Sequence, residues 1–481
     1  MKRNSLLKVL FVCILSSLII FGCKGEKGEE AKKNEEKQES SKVVLHKEPA
    51  KLEKVNIYFE NSGSMSGYIN SITDFKAALA KLTVNIAKAN DGKLPNLHLI
   101  SNNEVFPVKY NDPTDLDKIL NPKMEGYRQG SHRGDSKLNE IVGTILGERK
   151  GDNKSIDQND NTVSILISDF IYSVIGYDNK DGAVLDLVGS ATRRYFDNKL
   201  RKNPDFSVAF FKLNSLFKGT YWNKDEKPVT YDGMRPIYFL AMGKKELLKQ
   251  FIEDAQFESI GLENKVEFLS PDILSDDDNV NFSIVCEKKD TKKKKVKIVE
   301  ADGKAKYEEK TIDIFKKVSS KKRQFLSSDY AHKNTTMAVA VRIDALGVDQ
   351  EHIKNPKNYN LPEDVEIVSV EDFNTEKEAL KKAKCSFSLD YKKNVKKPNY
   401  ILIISLKEEA ELSDNLKISL KNKEQTVPEW VEKSSNNDDS VAGQPDSKTT
   451  FGLKYFVKGI SEAYNNSIPI FSLEIPQEKK K

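Results

Sequence analysis

The feature that most constrains this fold is an apolar run, residues 55–59, that changes abruptly into a polar turn. The run is rich in β-branched and aromatic side chains, which favour a buried β-strand. The turn then supplies the carboxylate of Glu60 and the hydroxyls of Ser62, Ser64 and Ser66, hard oxygen ligands of the kind that magnesium, manganese and calcium prefer. The sequence therefore predicts a strand that ends at an ion-binding turn. The alternative is that the hydroxyls only cap the following helix and satisfy the turn.

Strand and helix patterns alternate over residues 51–260. Further apolar strand candidates are 97–100, 163–167, 206–213 and 237–242. Apolar residues at helical spacing lie between several of them. This alternation predicts an α/β domain, a doubly wound and mostly parallel sheet with helices on both faces. Ligands of such sheets bind beyond the carboxyl ends of the strands, where the polar turn and Asp169 are expected.

Three separated segments resemble the metal-ion-dependent adhesion site of von Willebrand factor A domains. Residues 60–64, Glu-Asn-Ser-Gly-Ser, are similar to the Asp-x-Ser-x-Ser that ends the first strand of that family. The loop 130–136 resembles the family's Gly-Thr-x-x-Gly-x-Ala and places Ser131 at the threonine position. The strand candidate 163–167 runs into Ser168 and Asp169, much as the family's fourth strand ends in Thr-Asp-Gly. The resemblance covers about two hundred residues and leaves the second half of the chain unassigned.

The resemblance implies a site for Mg²⁺ or Mn²⁺ that captures an acidic group of a protein partner. The predicted metal-site residues are Glu60, Ser62, Ser64, Ser131 and Asp169, and the predicted ligand rim is Asn61, Met65, Tyr68 and His132. In the family the hydroxyls contact the ion, whereas the acids act largely through bound water. One departure is that a glutamate replaces the leading aspartate, which makes that side chain one methylene longer, and magnesium tolerates poor geometry badly.

Other functions are compatible with parts of the same pattern. A metal-independent scaffold of an envelope complex is the main alternative, and Glu60 is the residue that favours it. A metal-dependent phosphoester hydrolase could use Glu60 and Asp169 to activate water, but the sequence has no evident general acid or phosphate-binding glycine loop. A serine hydrolase is disfavoured because Met65 occupies the nucleophile position of the Gly-x-Ser-x-Gly pattern. We therefore predict a binding protein and not an enzyme.

The amino terminus predicts export and lipid attachment. Three basic residues precede an uncharged, mostly apolar stretch that is too short to be a stable spanning helix, and Gly22 and Cys23 follow it. This end resembles a bacterial lipoprotein signal, so residues 1–22 would be a signal peptide and Cys23 the lipidated residue. Residues 23–50 are nearly all polar and predict a flexible tether. The expected location is the bacterial cell envelope, at the outer membrane or cell surface.

Charge and histidine spacing argue against two other classes. The formal net charge is +5, and it falls to +2 once the three basic residues of the signal are removed, so nucleic-acid binding is not predicted. The basic run at 292–295 is interpreted as a solvated hairpin or tail. The five histidines show no spacing typical of a zinc site.

The second half of the chain, residues 261–481, changes to a period of two. Large apolar residues recur at every second position around 337–345, 400–406 and 416–420, which predicts a β-sandwich-like domain with one buried face per sheet. A late amphipathic helix with apolar residues from Leu453 to Tyr464 is interpreted as a lid on one of the two domains. Cys286 and Cys385 lie in strand-like runs, and a disulfide between them or two buried free thiols are both compatible with the sequence.

Overall fold

The computed structural model of the protein describes residues 51–477 apart from 102–103, 122–136, 149–160, 173–181, 225–226, 274–281, 300–304, 319–323, 325, 327–334, 344, 347, 383–390, 396, 408–414, 440–446 and 468. The predicted signal peptide, the tether and Cys23 therefore lie outside the described residues. No helix within the described part is long and apolar enough to cross a bilayer.

A seven-stranded mixed sheet organises the first half of the described chain. Its strands are β1 (Lys54–Glu60), β2 (Asn96–Ser101), β3 (Glu104–Val108), β4 (Thr162–Ser168), β5 (Phe206–Trp222), β6 (Pro228–Lys244) and β7 (Asn264–Phe268). They are arranged in the order β3-β2-β1-β4-β6-β5-β7. The predicted α/β class is confirmed, but the prediction of a mostly parallel sheet is wrong. Only β1 pairs in parallel, with β2 and β4, and the other pairs in the sheet are antiparallel.

The reason for the mixed sheet is the long hairpin formed by β5 and β6. The two strands pair over their whole length, from Phe206 opposite Lys244 to Trp222 opposite Pro228, and a short connection joins them. A connection of a few residues can only join antiparallel neighbours, because a parallel pair needs a crossover of a dozen residues or more. The sequence pattern identified only residues 206–213 and 237–242 as strands and missed the extension between them.

Helices cover both faces of the seven-stranded sheet. The helices of the described chain are α1 (Ser66–Ile69), α2 (Asp74–Ala89), α3 (Asp115–Ile119), α4 (Leu138–Ile145), α5 (Gly182–Lys202), α6 (Lys245–Asp254), α7 (Gln350–Lys354), α8 (Phe373–Lys382), α9 (Tyr391–Asn394), α10 (Glu429–Lys433) and α11 (Leu453–Ser467), with short 3-10 turns at Phe257–Ile260 and Pro356–Asn358. One face packs against α1, α2, α3 and α6, and the other packs against α4, α5, α10 and α11.

The late amphipathic helix α11 belongs to the core of this sheet. Its predicted apolar stripe, from Leu453 to Tyr464, is fully buried against α5 and the sheet. Strand β7, which follows residue 260, is likewise part of the same sheet. The predicted boundary between residues 260 and 261 stays a prediction, but elements from both sides of it build the seven-stranded core.

Residues after β7, including a strand that follows α11, form two further antiparallel sheets and two short strand pairs. Their strands are β8 (Asp272–Ile273), β9 (Phe282–Val299), β10 (Ala305–Lys317), β11 (Thr335–Val341), β12 (Ala345–Leu346), β13 (Tyr359–Asn360), β14 (Val365–Asp372), β15 (Tyr400–Leu406), β16 (Leu416–Leu420), β17 (Ser435–Asn436), β18 (Thr450–Phe451) and β19 (Phe471–Ile475). The five-stranded sheet has the order β10-β9-β11-β15-β14 and the three-stranded sheet the order β13-β16-β19. Alternate residues of the two sheets share one apolar core, as a sandwich-like region requires.

The expectation of one buried face per sheet is wrong for the five-stranded sheet. Ala338, Ala340 and Ile403 point away from the sandwich core and are buried beneath α8 and α9. Cys286 lies in this second core and is disulfide-bonded. Its predicted partner Cys385 lies outside the described residues, so the pairing of these two cysteines stays a prediction.

A half-buried histidine in the seven-stranded sheet is expected to make folding sensitive to pH. His98 on β2 stacks on Tyr58 of β1 with ring centroids 5.0 Å apart. Burial, with a smaller contribution from the positive charge of Lys54, lowers the pKa of His98 from 6.5 to about 4. The unfolded chain therefore binds a proton more readily than the folded one below pH 6.5, and stability falls as the pH drops from 6.5 towards 4.

We expect His98 to lower the free energy of unfolding by about 2 kcal/mol between pH 7.5 and pH 4.5. This value is reduced to allow for the partial exposure of the ring. The measurement is urea unfolding of the wild type and of His98→Gln at both pH values. The variant should lose less stability on acidification than the wild type. An identical loss in the two proteins would show that His98 does not carry this dependence.

Candidate functional site

Two of the three predicted segments meet at one edge of the seven-stranded sheet. Glu60 is the last residue of β1, and Asp169 directly follows β4, the parallel neighbour of β1. The register pairs Phe59 with Ile167, so Glu60 is level with Ser168 and Asp169 lies one residue further along its strand. Both are almost completely buried, with exposed fractions of 2%. Both acids thus lie at the carboxyl ends of strands, and these strands are neighbours in the sheet.

The serine turn after β1 presents two hydroxyls side by side. The Oγ atoms of Ser62 and Ser64 are 3.1 Å apart, and both side chains are partly exposed. Neighbouring oxygens of an octahedral magnesium site with bonds of about 2.1 Å are about 3.0 Å apart, so this spacing suits such an ion. The Ser66 hydroxyl instead donates to the carbonyl of Gly63 at 2.8 Å and closes the turn.

The helix-capping half of the alternative does not describe this turn, whereas its other half, that hydroxyls satisfy the turn, holds for Ser66. Helix α1 begins after Met65, which makes no side-chain capping hydrogen bond. The following helix α2 is capped by Thr73, whose side chain accepts a hydrogen bond from the N–H of Lys76. The hydroxyls of Ser62 and Ser64 therefore do not cap a helix. They contact each other instead.

Asp169 faces this turn. Its Oδ1 accepts a hydrogen bond from the N–H of Ile171 at 3.1 Å, and the hydroxyl of Ser64 lies within reach of the carboxylate. No hydrogen bond of ordinary length and angle reaches the buried Oδ2 from the described residues. Burial raises the pKa of Asp169, and the Ser64 hydroxyl and the Ile171 N–H oppose that rise. A buried carboxylate oxygen and two adjacent hydroxyls form a donor set that fits a hard divalent cation.

The residue after Asp169 has an unusual backbone conformation. Phe170 has a φ of 53°, in the left-handed region that bulky residues rarely adopt. Its ring is fully buried and makes edge contacts with Phe210 and Phe456, each with ring centroids 5.0 Å apart. Strain of this kind clusters at binding and active sites, where the surrounding packing must enforce it. The turn that carries Asp169 is thus held by the aromatic core beneath it.

A buried arginine that the sequence reasoning missed lies at the same edge. Arg235 on β6 is only 1% exposed, and its Cζ is 4.2 Å from the ring centroid of Tyr221. Its Nη2 donates to the carbonyl of Thr449 at 3.4 Å, and its charge acts on Asp169. An arginine immediately before an apolar strand is visible in the sequence. Placing it at this edge requires the direction of β6, which the sequence did not supply.

The β5–β6 hairpin extends past the sheet and packs beside the serine turn. A Cβ added to Gly219 would lie 2.8 Å from the Cα of Gly67, and a side chain at Gly67 would overlap the ring of Phe217. Trp222 also lies beside the turn. Its Nε1 would be 3.3 Å from a Cβ built on Gly63. Glycine at position 67 is therefore explained by this close approach of two backbones.

The prediction of an exposed rim is wrong for the three rim residues that the structure describes. Asn61, Met65 and Tyr68 are fully buried, so they cannot meet an incoming ligand in this conformation. The hydroxyl of Tyr68 donates to the carbonyl of Pro236 at 2.6 Å and ties α1 to β6. These residues follow the serine turn closely in the sequence, which predicted that they lie near the site. The sequence did not predict that α1 packs inward beneath the β5–β6 hairpin.

The third predicted segment, with Ser131 and His132, lies outside the described residues. Its place in the site stays a prediction. Within the described ranges, no group of three or more histidine, cysteine, aspartate and glutamate side chains is arranged to hold a metal ion. The candidate centre differs from such clusters because most of its donors are serine hydroxyls.

Comparison with protein-family models, with curated proteins and with solved structures finds no match to this chain. The interpretation of the site therefore depends on its own geometry and on the resemblance of its three motifs.

Proposed function

We propose that this protein is a lipid-anchored protein of the bacterial cell envelope that binds an acidic group of a partner protein through a divalent metal ion. The observation that carries the proposal is the convergence of Ser62, Ser64 and Asp169 at one sheet edge, with the two hydroxyls 3.1 Å apart. The resemblance of the three motifs to the adhesion site of von Willebrand factor A domains supports the same reading. The proposed function is binding, without catalysis.

Each residue of the site would have a distinct part in holding Mg²⁺ or Mn²⁺. The hydroxyls of Ser62 and Ser64, with that of Ser131, would contact the ion directly. Glu60 and Asp169 would supply negative charge from the buried side, and the extra methylene of Glu60 is accommodated more easily if that acid acts through water. When bound, the ion offers an open coordination position that a carboxylate oxygen of the partner can fill.

Isothermal titration of the mature protein with Mn²⁺ and Mg²⁺ tests this proposal. We expect Ser64→Ala and Asp169→Ala each to weaken binding by at least about tenfold, the lower end of the effects seen around metal sites. Ser66→Ala is the matched control, because this hydroxyl belongs to the same turn but bonds to the Gly63 carbonyl. It should bind the metal like the wild type. Binding that survives unchanged in both site variants would rule out the assignment.

A metal-independent scaffold is a second candidate, favoured by an exposed apolar pair on the hairpin and an exposed tryptophan near its tip, with the Lys218–Asp232 ion pair between them. Leu216 and Met234 are direct cross-strand neighbours and are 45% and 42% exposed, and Trp222 near the tip is 43% exposed. Large apolar side chains exposed together often mark protein contacts. Capture of partners from solubilised envelopes separates the two functions. Retention of every partner in chelator supports the scaffold, whereas release supports the metal-mediated contact.

A further inference from the structure

A partner that reaches the candidate metal site would meet the side chain that borders the serine turn, and that side chain is Trp222. Its Nε1 would lie 3.3 Å and its Cδ1 3.9 Å from a Cβ built on Gly63, so this edge of the indole packs directly against the glycine. Gly63 stands between Ser62 and Ser64, whose partly exposed hydroxyls belong to the candidate donor set. The indole is 43% exposed and is therefore open to solvent beside the turn that carries the two hydroxyls.

The position of Trp222 is fixed by residues on either side of it. The hydroxyl of Tyr221 donates to the carboxylate of Asp439, and the N–H of Lys224 donates to the same carboxylate at 2.8 Å. Trp222 itself pairs with Pro228 across the hairpin. An aromatic side chain that is held in place before binding loses little conformational entropy when a partner packs on it.

A tryptophan at this position favours a particular kind of partner. Indole combines a broad apolar surface with one N–H donor, and tryptophan is enriched among the residues that carry most of the binding energy of protein interfaces. The indole has no charge, so it adds apolar contact and leaves the attraction of a carboxylate to the metal ion. A partner with an apolar group close to its carboxylate would use both features.

We propose that Trp222 is a specificity-determining residue of the candidate site, which packs against an apolar group that the partner carries beside its metal-binding carboxylate. The inference rests on the proposed function, because it requires a carboxylate bound to a divalent ion at the serine turn. It defines the partner more closely, as a protein whose acidic side chain lies next to an apolar one. Trp222 contacts that apolar group and does not touch the ion.

Acetate and 3-phenylpropionate are suitable probes, because both carry a carboxylate and only the second carries a phenyl ring. Ligand-observed NMR titration of the Mg²⁺-loaded mature protein should show 3-phenylpropionate binding about tenfold more tightly than acetate, since its ring is removed from water against the indole. Trp222→Ala should reduce this preference to about twofold or less, whereas Trp222→Phe should retain most of it. Calorimetry should show that both variants bind Mg²⁺ like the wild type.

Leu216→Ala is the matched control. Leu216 belongs to the same hairpin and is 45% exposed, but it lies about 20 Å further back along β5. This variant should keep the full preference for 3-phenylpropionate.

Three results would overturn the inference while the metal site stands. They are an equal preference in the wild type and Trp222→Ala, a preference that persists in chelator, and weaker Mg²⁺ binding by Trp222→Ala, which would show that the indole only supports the turn. If the wild type binds no Mg²⁺, or binds Mg²⁺ but neither carboxylate, the proposed function itself fails and the inference fails with it.

Discussion

Replacement of Phe170 by glycine should leave the protein more stable than replacement by alanine, although both variants lose the same ring. The fully buried ring contacts Phe210, Tyr238 and Phe456, so Phe170→Ala should reduce the unfolding free energy by about 3 to 5 kcal/mol. The backbone at this position has a φ of 53°, which glycine adopts without the penalty that alanine meets. We expect Phe170→Gly to recover about 1 kcal/mol of that loss.

Guanidinium chloride unfolding measures the difference, and Phe210 supplies the control. Phe210 is also fully buried but lies within β5. The Phe210→Gly variant should therefore be less stable than Phe210→Ala by about 0.5 to 1 kcal/mol, because glycine within a strand normally destabilises a protein relative to alanine. If alanine is the more stable replacement at both positions, the turn after Asp169 is not strained in the way the structure indicates.

Replacement of Gly459 by alanine should destabilise the protein by about 3 kcal/mol, although alanine normally stabilises a helix relative to glycine. Helices α5 and α11 cross with their backbones in contact, and a Cβ on Gly459 would collide with the carbonyl oxygen of Gly189. A Cβ on Gly189 would lie 2.8 Å from the carbonyl oxygen of Tyr455. Backbone atoms cannot move aside as a flexible side chain can, so the two helices must separate.

The matched control is Gly182→Ala, at the start of α5. A Cβ there would lie at an ordinary 3.5 Å from the hydroxyl of Tyr455, so this change should be neutral or slightly stabilising. Thermal unfolding of the two glycine variants and the wild type compares them directly. Equal stability of Gly459→Ala and the wild type would mean that α11 does not pack as closely on α5 as described. A large loss would show that the last helix is needed for the core built by the first half of the chain.

The segments of the site that the sequence identified share a local signal. An apolar run of strand-forming residues stops at a polar turn in both cases, at Glu60 and at Asp169. Such a stop marks the point where the backbone leaves the buried sheet, and it is visible without knowledge of the neighbours. The α/β class follows from the alternation of strands and helices, which is also a local pattern. The buried stripe of α11 was predicted for the same reason.

The residues that the sequence missed or misplaced depend on contacts between distant segments. Met65 and Tyr68 follow the serine turn closely, but the β5–β6 hairpin covers them and makes them core residues. Ala338 and Ala340 alternate with larger apolar residues, a pattern that predicted a solvent-exposed face for the alanines. Helices α8 and α9 bury that face. Burial by an element far away in the chain leaves no periodic signal in the segment that is buried.

By itself, the sequence determined the α/β class, the strand ends at Glu60 and Asp169, and the apolar stripe that α11 buries, because hydrophobic periodicity and strand-breaking turns are properties of neighbouring residues. The tertiary structure alone decided the direction of β6. A parallel β6 would begin at the opposite edge of the sheet, whereas the antiparallel hairpin brings Arg235 to the same edge as Asp169. Strand direction is set by the pairing of whole segments, and so the charge that stands beside the candidate site is a result of topology.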